Sequence, residues 1–309
     1  MAAVEPRLTD VAYEEVESRS ALNRVQGMGF EWSLNPYTGC EHRCAFCYVR
    51  AFEIRADRPG DDRYGRTVRV KVNVASLLRH ELGRRSWRHQ LVAVGTATDP
   101  YQPAEGRYRL TRACLKVLRD HRNPVGIITR GPMVVRDIDV LTDLAARAEV
   151  SVNFSIPTLD SEVWRKTEPG TAHPRQRFRA LERLVNAGIK AGVGMAPILP
   201  GLSDRPEQIE DVVKAARAAG ATHLWAALLH LKPGTKEHFL EVLARHWPEQ
   251  LPRYQALYAA GTYLDKARTE PTMQVVSRLR GAHGIADRRP HREVPHPPPE
   301  PVQLAIAFR

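Results

Sequence analysis

Residues 110–129 read LTRACLKVLRDHRNPVGIIT, and the order of the two patterns inside that stretch decides the fold. The first part, LTRACLKVLRDHR, spaces its apolar residues as a helix does, and Val125–Thr129 is a short apolar, β-prone run. Helix then strand is half of a βα repeat, and the same phrase recurs on both sides. Ala75–Arg84 has helical spacing and precedes the run Leu91–Thr96. DIDVLTDLAARA precedes Val150–Ile156. RFRALERLVNAG precedes Ile189–Ile198, and RPEQIEDVVKAARAAG precedes His223–Leu229. Gly188 and Gly220 stand where a helix C-terminal cap is expected. A first strand, beginning near residue 31, is expected to end at Thr38 and Gly39.

Six βα units with near-continuous apolar strands predict an α/β fold with a parallel sheet covered by helices. Six is fewer than the eight of a closed barrel, so the expectation is a partial (β/α)6 TIM-type barrel over residues 31–235. Residues 1–30 read as a polar lead-in. After Leu231 the pattern is helical only, around Lys236–Ala260 and Tyr263–Arg280, predicting a C-terminal helical extension over 236–283. From residue 284 to 309 the chain turns to ADRRPHREVPHPPPEP, a Pro-rich flexible, disordered tail, and closes on the apolar peptide Gln303–Phe308. Gly, Pro and polar residues collect at the strand C-termini (Gly39, TATDP, TRGP, Ser155–Asp160, PILPG), the end that carries chemistry in such barrels.

Three of the four cysteines fall within eight residues, in Asn35-Pro-Tyr-Thr-Gly-Cys40-Glu-His-Arg-Cys44-Ala-Phe-Cys47-Tyr48. A disulfide framework would spread them out. The acids Glu5, Asp10, Glu14, Glu15 and Glu17 interrupt any leader-like apolar run, and no later stretch approaches a membrane span, so a cytoplasmic protein with no membrane partner is expected. In that reducing compartment Cys40, Cys44 and Cys47 are read as metal ligands. Iron–sulfur clusters usually take four thiolates, and three leave one iron open to a small molecule. Zinc with His42 as fourth ligand is the competing reading. Cys114, on an apolar helix face, is expected in the core.

Net charge is +11, and residues 50–112 hold thirteen Arg and one Lys against seven acids. With Tyr64, Trp87, Tyr101 and Tyr108 interleaved, this insert reads either as a nucleic-acid groove or as a solvated basic face.

The cysteine spacing, with Phe46 before the last thiol, resembles the signature of the radical S-adenosylmethionine (SAM) superfamily. Asn-Pro-Tyr-Thr-Gly-Cys40 and Thr98-Asp-Pro-Tyr-Gln-Pro-Ala-Glu105 make it most similar to the spore photoproduct lyase-related branch. That resemblance implies a 4Fe–4S cluster on the three cysteines, whose open iron chelates S-adenosylmethionine. It also implies an electron donor of flavodoxin or ferredoxin type, and a 5′-deoxyadenosyl radical that abstracts a substrate hydrogen. Position by position it places Thr96, Thr98 and Asp99 at the methionine amino group, Arg130 at the carboxylate, Ser155 at a ribose hydroxyl and Ala196 against adenine. Tyr48 matches a tyrosine that relays a hydrogen atom in the lyases. Their hydrogen-donating cysteine has no counterpart in Gly95-Thr96-Ala97-Thr98. The reaction class suggested is a DNA-repair-like lyase acting on nucleic acid. The alternatives are a radical enzyme for a peptide or small metabolite, and a non-catalytic iron–sulfur protein that binds nucleic acid or senses redox state. Gln303–Phe308 also resembles short peptides that dock on the bacterial sliding clamp.

Overall fold

The computed structural model describes residues 11–287. In chain order its elements are β1 (Ala12–Val16), β2 (Leu22–Arg24), β3 (Trp32–Leu34), β4 (Tyr37–Thr38), α1 (Arg50–Arg55), β5 (Thr67–Lys71), α2 (Val74–Leu82), β6 (Val92–Val94), α3 (Ala104–Tyr108) and α4 (Leu110–Asp120). There follow β7 (Val125–Thr129), α5 (Ile138–Ala145), β8 (Val150–Ser155), α6 (Ser161–Thr167), α7 (Pro174–Asn186), β9 (Lys190–Ile198), α8 (Pro206–Ala218), β10 (Leu224–Leu228), α9 (Thr235–His246), α10 (Leu251–Leu257) and α11 (Lys266–Ala282).

The main sheet runs β10-β9-β8-β7-β6-β3-β2. The six expected strands are β3 and β6–β10. They lie side by side in chain order, and every pair among them is parallel. Among the described residues the sheet is open, with β2 and β10 at its edges. Gly188 and Gly220 end their helices with φ of +80° and +76°, the left-handed geometry a glycine supplies without strain.

The main core lies between this sheet and the helices that cover it. Val94, Ile127, Val152, Phe154 and Val193 come from the strands, and Leu78, Leu118, Leu144, Leu184 and Val212 from the helices. Each such side chain removed from water contributes about 2 kcal/mol. Cys114 is buried in this cluster, as its place on the apolar face of α4 requires. A second cluster joins Cys44, Ala45 and Phe46 to Leu199, Leu231, Phe239, Leu243, Tyr254 and Tyr258. The C-terminal helices α9 and α10 therefore share a core with the cysteine segment itself.

Two expectations need correction. The first strand ends at Leu34, not at Thr38: Pro36 has no N–H for a ladder, and Tyr37–Thr38 instead pairs antiparallel with β5. The expected lead-in carries two strands. β1 runs parallel to β5, completing a small sheet β1-β5-β4, and β2 adds an antiparallel edge beside β3. Residues 1–10 and 288–309, with the tail and the Gln303–Phe308 peptide, lie outside the described residues. No helix among the described residues is long and apolar enough to cross a membrane.

Candidate functional site

All six parallel strands deliver their C-terminal ends to one edge, where chemistry-bearing loops of parallel sheets collect. The cysteine segment crosses that edge after β3 and β4, and the chain holds it with unusual thoroughness. Gly39 sits at φ +84°, where an added Cβ would fall 2.5 Å from the Thr67 carbonyl oxygen. Gly65 and Gly170 press against the Cys40 and Glu41 carbonyls so closely that a Cβ would lie 2.2 and 2.1 Å from those oxygens. Any side chain at these glycines would push the cysteine backbone out of place.

Polar side chains complete the clamp. Gln102 accepts from the Glu41 N–H at 3.0 Å and donates to the Gly39 carbonyl at 3.3 Å. The Glu41 carboxylate accepts from the Ala104 N–H and the Tyr13 hydroxyl. Arg50 is buried, and its guanidinium donates to the carbonyls of Cys44, Arg43, Gly60 and Asp61. Thr235, at the start of α9, donates to the Cys47 carbonyl at 3.1 Å.

Cys40 and Cys44 are buried and Cys47 is half-buried, with no disulfide between them. Burial pushes the Cys44 thiol up to about 12, against the opposing pull of Arg130, and burial followed by the Asp99 charge raises Cys40 as well. Thiolates here need a bound cation to offset the lost hydration, which is what a metal centre provides. The His42 Nδ1 lies 3.2 Å from Asp99 Oδ2. Among the described residues, no three His, Cys, Asp or Glu converge on one ion position. Asp99 thus engages one ring nitrogen of His42, the residue that the zinc reading takes as fourth ligand. Three thiols on a fixed loop, beside an open strand edge, fit a larger iron–sulfur centre with one iron left uncoordinated by protein.

The other expected site residues stand on successive strand ends. Thr96 follows β6; its carbonyl accepts from the Tyr48 hydroxyl, and its Oγ1 accepts from Asn35. Thr98 donates to the Gly39 carbonyl at 2.7 Å. The Asp99 carboxylate is occupied internally, accepting from the N–H of Tyr101, the Thr129 hydroxyl and the N–H of Arg130. Burial favours its neutral form, yet His42 and these hydrogen bonds hold its pKa at about 2. Arg130 directly follows β7, and its Nε donates to Glu168 at 2.6 Å while Nη2 donates to the Ala196 carbonyl at 3.3 Å. Arg130 and Ala196 are thus in direct contact. The Ser155 carbonyl accepts from Arg177 at 2.7 Å. Glu168 lies buried between Arg130 and Arg177, and both cations draw its pKa below the ordinary glutamate value despite burial.

The model of the radical SAM superfamily matches residues 34–216. The chain belongs to the radical SAM superfamily. It is 38% identical to an uncharacterised protein of Mycobacterium tuberculosis over 290 residues, covering 92% of this chain and 85% of that one. An uncharacterised protein of Methanocaldococcus jannaschii is 26% identical over 255 residues, 82% of this chain and 90% of the relative. The fold is shared with spore photoproduct lyase. One variant superposes with a TM-score of 0.68 at 15% identity, over 91% of this chain and 84% of the lyase. A second, solved with bound S-adenosylmethionine and a dinucleoside spore photoproduct, gives 0.65. Radical SAM proteins use a 4Fe–4S cluster and S-adenosylmethionine, and the donor set and clamp described above fit the cluster.

The Arg-rich insert does not form one groove. Arg50 is interior, Arg58 pairs with Glu53, Arg63 with Asp61, Arg69 with Glu14, Arg79 with Asp120, and Arg112 with Asp137 and Asp139. Tyr64 and Tyr101 are buried and cannot stack on bases. Arg84, Arg85 and Arg88 lie at the opposite end of the sheet from the cysteines. Their loop precedes β6, and Trp87 within it bonds Asn123 ahead of β7. Several arginines of this run are therefore structural, a difference that the sequence pattern does not reveal, since a structural arginine looks the same there as a solvated one. Sequence reasoning missed Glu41, Gln102, Glu168 and Arg177; the quoted segments Asn35–Tyr48 and Thr98–Glu105 contain Glu41 and Gln102 but gave neither a role.

Proposed function

We propose that this radical SAM protein cleaves S-adenosylmethionine reductively at a 4Fe–4S cluster held by Cys40, Cys44 and Cys47, and directs the resulting radical to a nucleic-acid substrate. The observation that carries the first part is the convergence on one sheet edge of the clamped cysteine loop, the ends of β6 to β8 and the direct Arg130–Ala196 contact. When bound, the cluster supplies the electron that breaks the S–C5′ bond.

The protein's own groups then divide the work of binding. Thr96 gives its carbonyl to Tyr48, so the Ala97 and Thr98 carbonyls remain to accept from the methionine ammonium. Asp99 acts as a positioning residue, tying the ends of β6 and β7 together. Arg130 spends Nε on Glu168 and Nη2 on Ala196, so its remaining N–H groups would be the ones to meet the methionine carboxylate. Ser155 meets a ribose hydroxyl, and the Ala196 backbone meets adenine. Tyr48 brings a phenolic O–H to the same edge for hydrogen relay. A flavodoxin- or ferredoxin-type protein delivers the electron.

Nucleic acid as substrate is supported by the shared fold with a lyase that binds a dinucleoside photoproduct and by the +11 charge. The later steps differ from those of the lyase. Gly95 stands at φ +92° with the Ile128 carbonyl 2.3 Å from where a Cβ would be, so no cysteine fits there. The test is the yield of 5′-deoxyadenosine from anaerobically reconstituted protein with dithionite, with and without ultraviolet-irradiated DNA. Cleavage stimulated by irradiated DNA supports the proposal; no cleavage under any condition refutes it.

A further inference from the structure

Three rings run from the cysteine loop to solvent. Tyr48 follows Cys47, and its ring centroid lies 6.0 Å from that of His230, just beyond β10. His230 stacks on Tyr263 at 5.2 Å with the planes 19° apart. Tyr263, in the turn before α11, is 68% exposed, among the largest exposures of any hydrophobic side chain described. A tyrosine stacked on one face and open on the other has buried part of its apolar area and left the rest ready for another flat ring. Burial and the neighbouring Lys232 charge lower the His230 pKa, so at neutral pH this ring is a neutral stacking surface, not a cation.

Two cations flank the row. Phe52 packs edge-on against Tyr48 at 5.6 Å. Lys232 Nζ lies 5.2 Å, and the Arg55 guanidinium 4.7 Å, from the Phe52 ring centroid. Neither Lys232 nor Arg55 has a carboxylate within 4.0 Å among the described residues, unlike most arginines of the insert. Stacked rings with unpaired cations beside them are the chemistry that holds unpaired nucleotides: rings take bases and cations take phosphates.

The geometry points to a stacking platform, with Tyr263 as its outer step and Lys232 and Arg55 as phosphate partners, that receives an unpaired base of a nucleic-acid strand and leads it toward Tyr48. This inference rests on the nucleic-acid reading above and names the residues that recognise the substrate. A strand, not a free nucleotide, is the occupant. The row spans more than one ring step, and its two cations sit beside Phe52 rather than on the stack, an arrangement that suits a charged backbone running alongside stacked bases.

The test is fluorescence anisotropy of labelled oligothymidylate and oligouridylate with the full, reconstituted chain over a range of salt. Tyr263→Ala should weaken binding about tenfold, the usual loss for one base stack, while Tyr263→Phe retains it. Lys232→Gln and Arg55→Gln should each reduce the slope of log affinity against log salt by about 0.7. Unchanged absorbance near ~400 nm verifies that each variant keeps its cluster. Oligonucleotide binding by the parent chain that Tyr263→Ala leaves unaltered overturns the platform while the nucleic-acid reading stands. Absence of binding to either oligonucleotide at low salt overturns both. A preference between the two arms tells DNA from RNA as the strand.

Discussion

Arg50 offers the sharpest test of how the cysteine loop is held. Its side chain is 2% exposed and sits over the Tyr64 ring at 4.7 Å. The guanidinium donates to Gly60 and Asp61 carbonyls at 2.8 and 2.7 Å, and to Cys44 and Arg43 carbonyls at 3.2 Å. In one centre it ties the Arg43–Cys44 backbone to the loop that follows α1. Arg50→Met keeps the length and removes every donor. Charge-assisted hydrogen bonds contribute roughly 1.5–3 kcal/mol each. Counting the two short bonds at the low end, the two long ones at a fraction, and the contact with Tyr64 at about 0.5 kcal/mol gives a loss of about 4 kcal/mol. Against a total stability of about 5–15 kcal/mol that is a large share. Arg50→Lys, whose ammonium cannot span four carbonyls, should fall about midway. Urea unfolding of the cluster-free protein should show a midpoint lowered by about 1–2 M in Arg50→Met. Iron content after anaerobic reconstitution should fall in parallel, because the loop no longer holds its thiols in register. A midpoint and iron content equal to the parent's would refute the clamp.

Replacing Cys40, Cys44 or Cys47 by Ala should abolish the absorbance near ~400 nm after reconstitution, whereas Cys114→Ala should keep it and cost about 1–2 kcal/mol in urea unfolding from the small cavity left. Glu168→Gln leaves Arg177 buried beside a neutral amide and should lower stability by about 3 kcal/mol. Because both arginines depress the Glu168 pKa, that contribution is fully present above the unfolded value of about 4.3 and fades as pH falls toward the folded one. The gap between parent and variant should therefore be constant at neutral pH and shrink in acid; a gap that widens in acid would contradict it. Charge reversal at Arg84, Arg85 and Arg88 should leave the yield of 5′-deoxyadenosine unchanged, since these residues lie at the far end of the sheet; a large drop would mean that this loop reaches the site.

Much of the architecture was legible without coordinates. Residues 110–129 and their four counterparts announce a parallel sheet because strands covered on both sides need continuous apolar runs. The spacing of Cys40, Cys44 and Cys47 announces a metal centre because ligands a few residues apart can reach one object. Both signals are local, fixed by neighbours in sequence. Only the tertiary structure could show what holds the loop or which charges are spent. Gly65 and Gly170 matter because distant backbone presses on Cys40 and Glu41, and nothing in their own neighbourhoods records that approach. Arg50 and Arg84 are alike in sequence, yet one donates to four carbonyls and the other lies on a loop at the opposite end. Asp99 reads as a candidate ligand by position, and the fold shows its carboxylate taken by Tyr101, Thr129 and Arg130. Hydrogen-bond partners and burial are long-range properties, and a chain's periodicity constrains only its short-range ones.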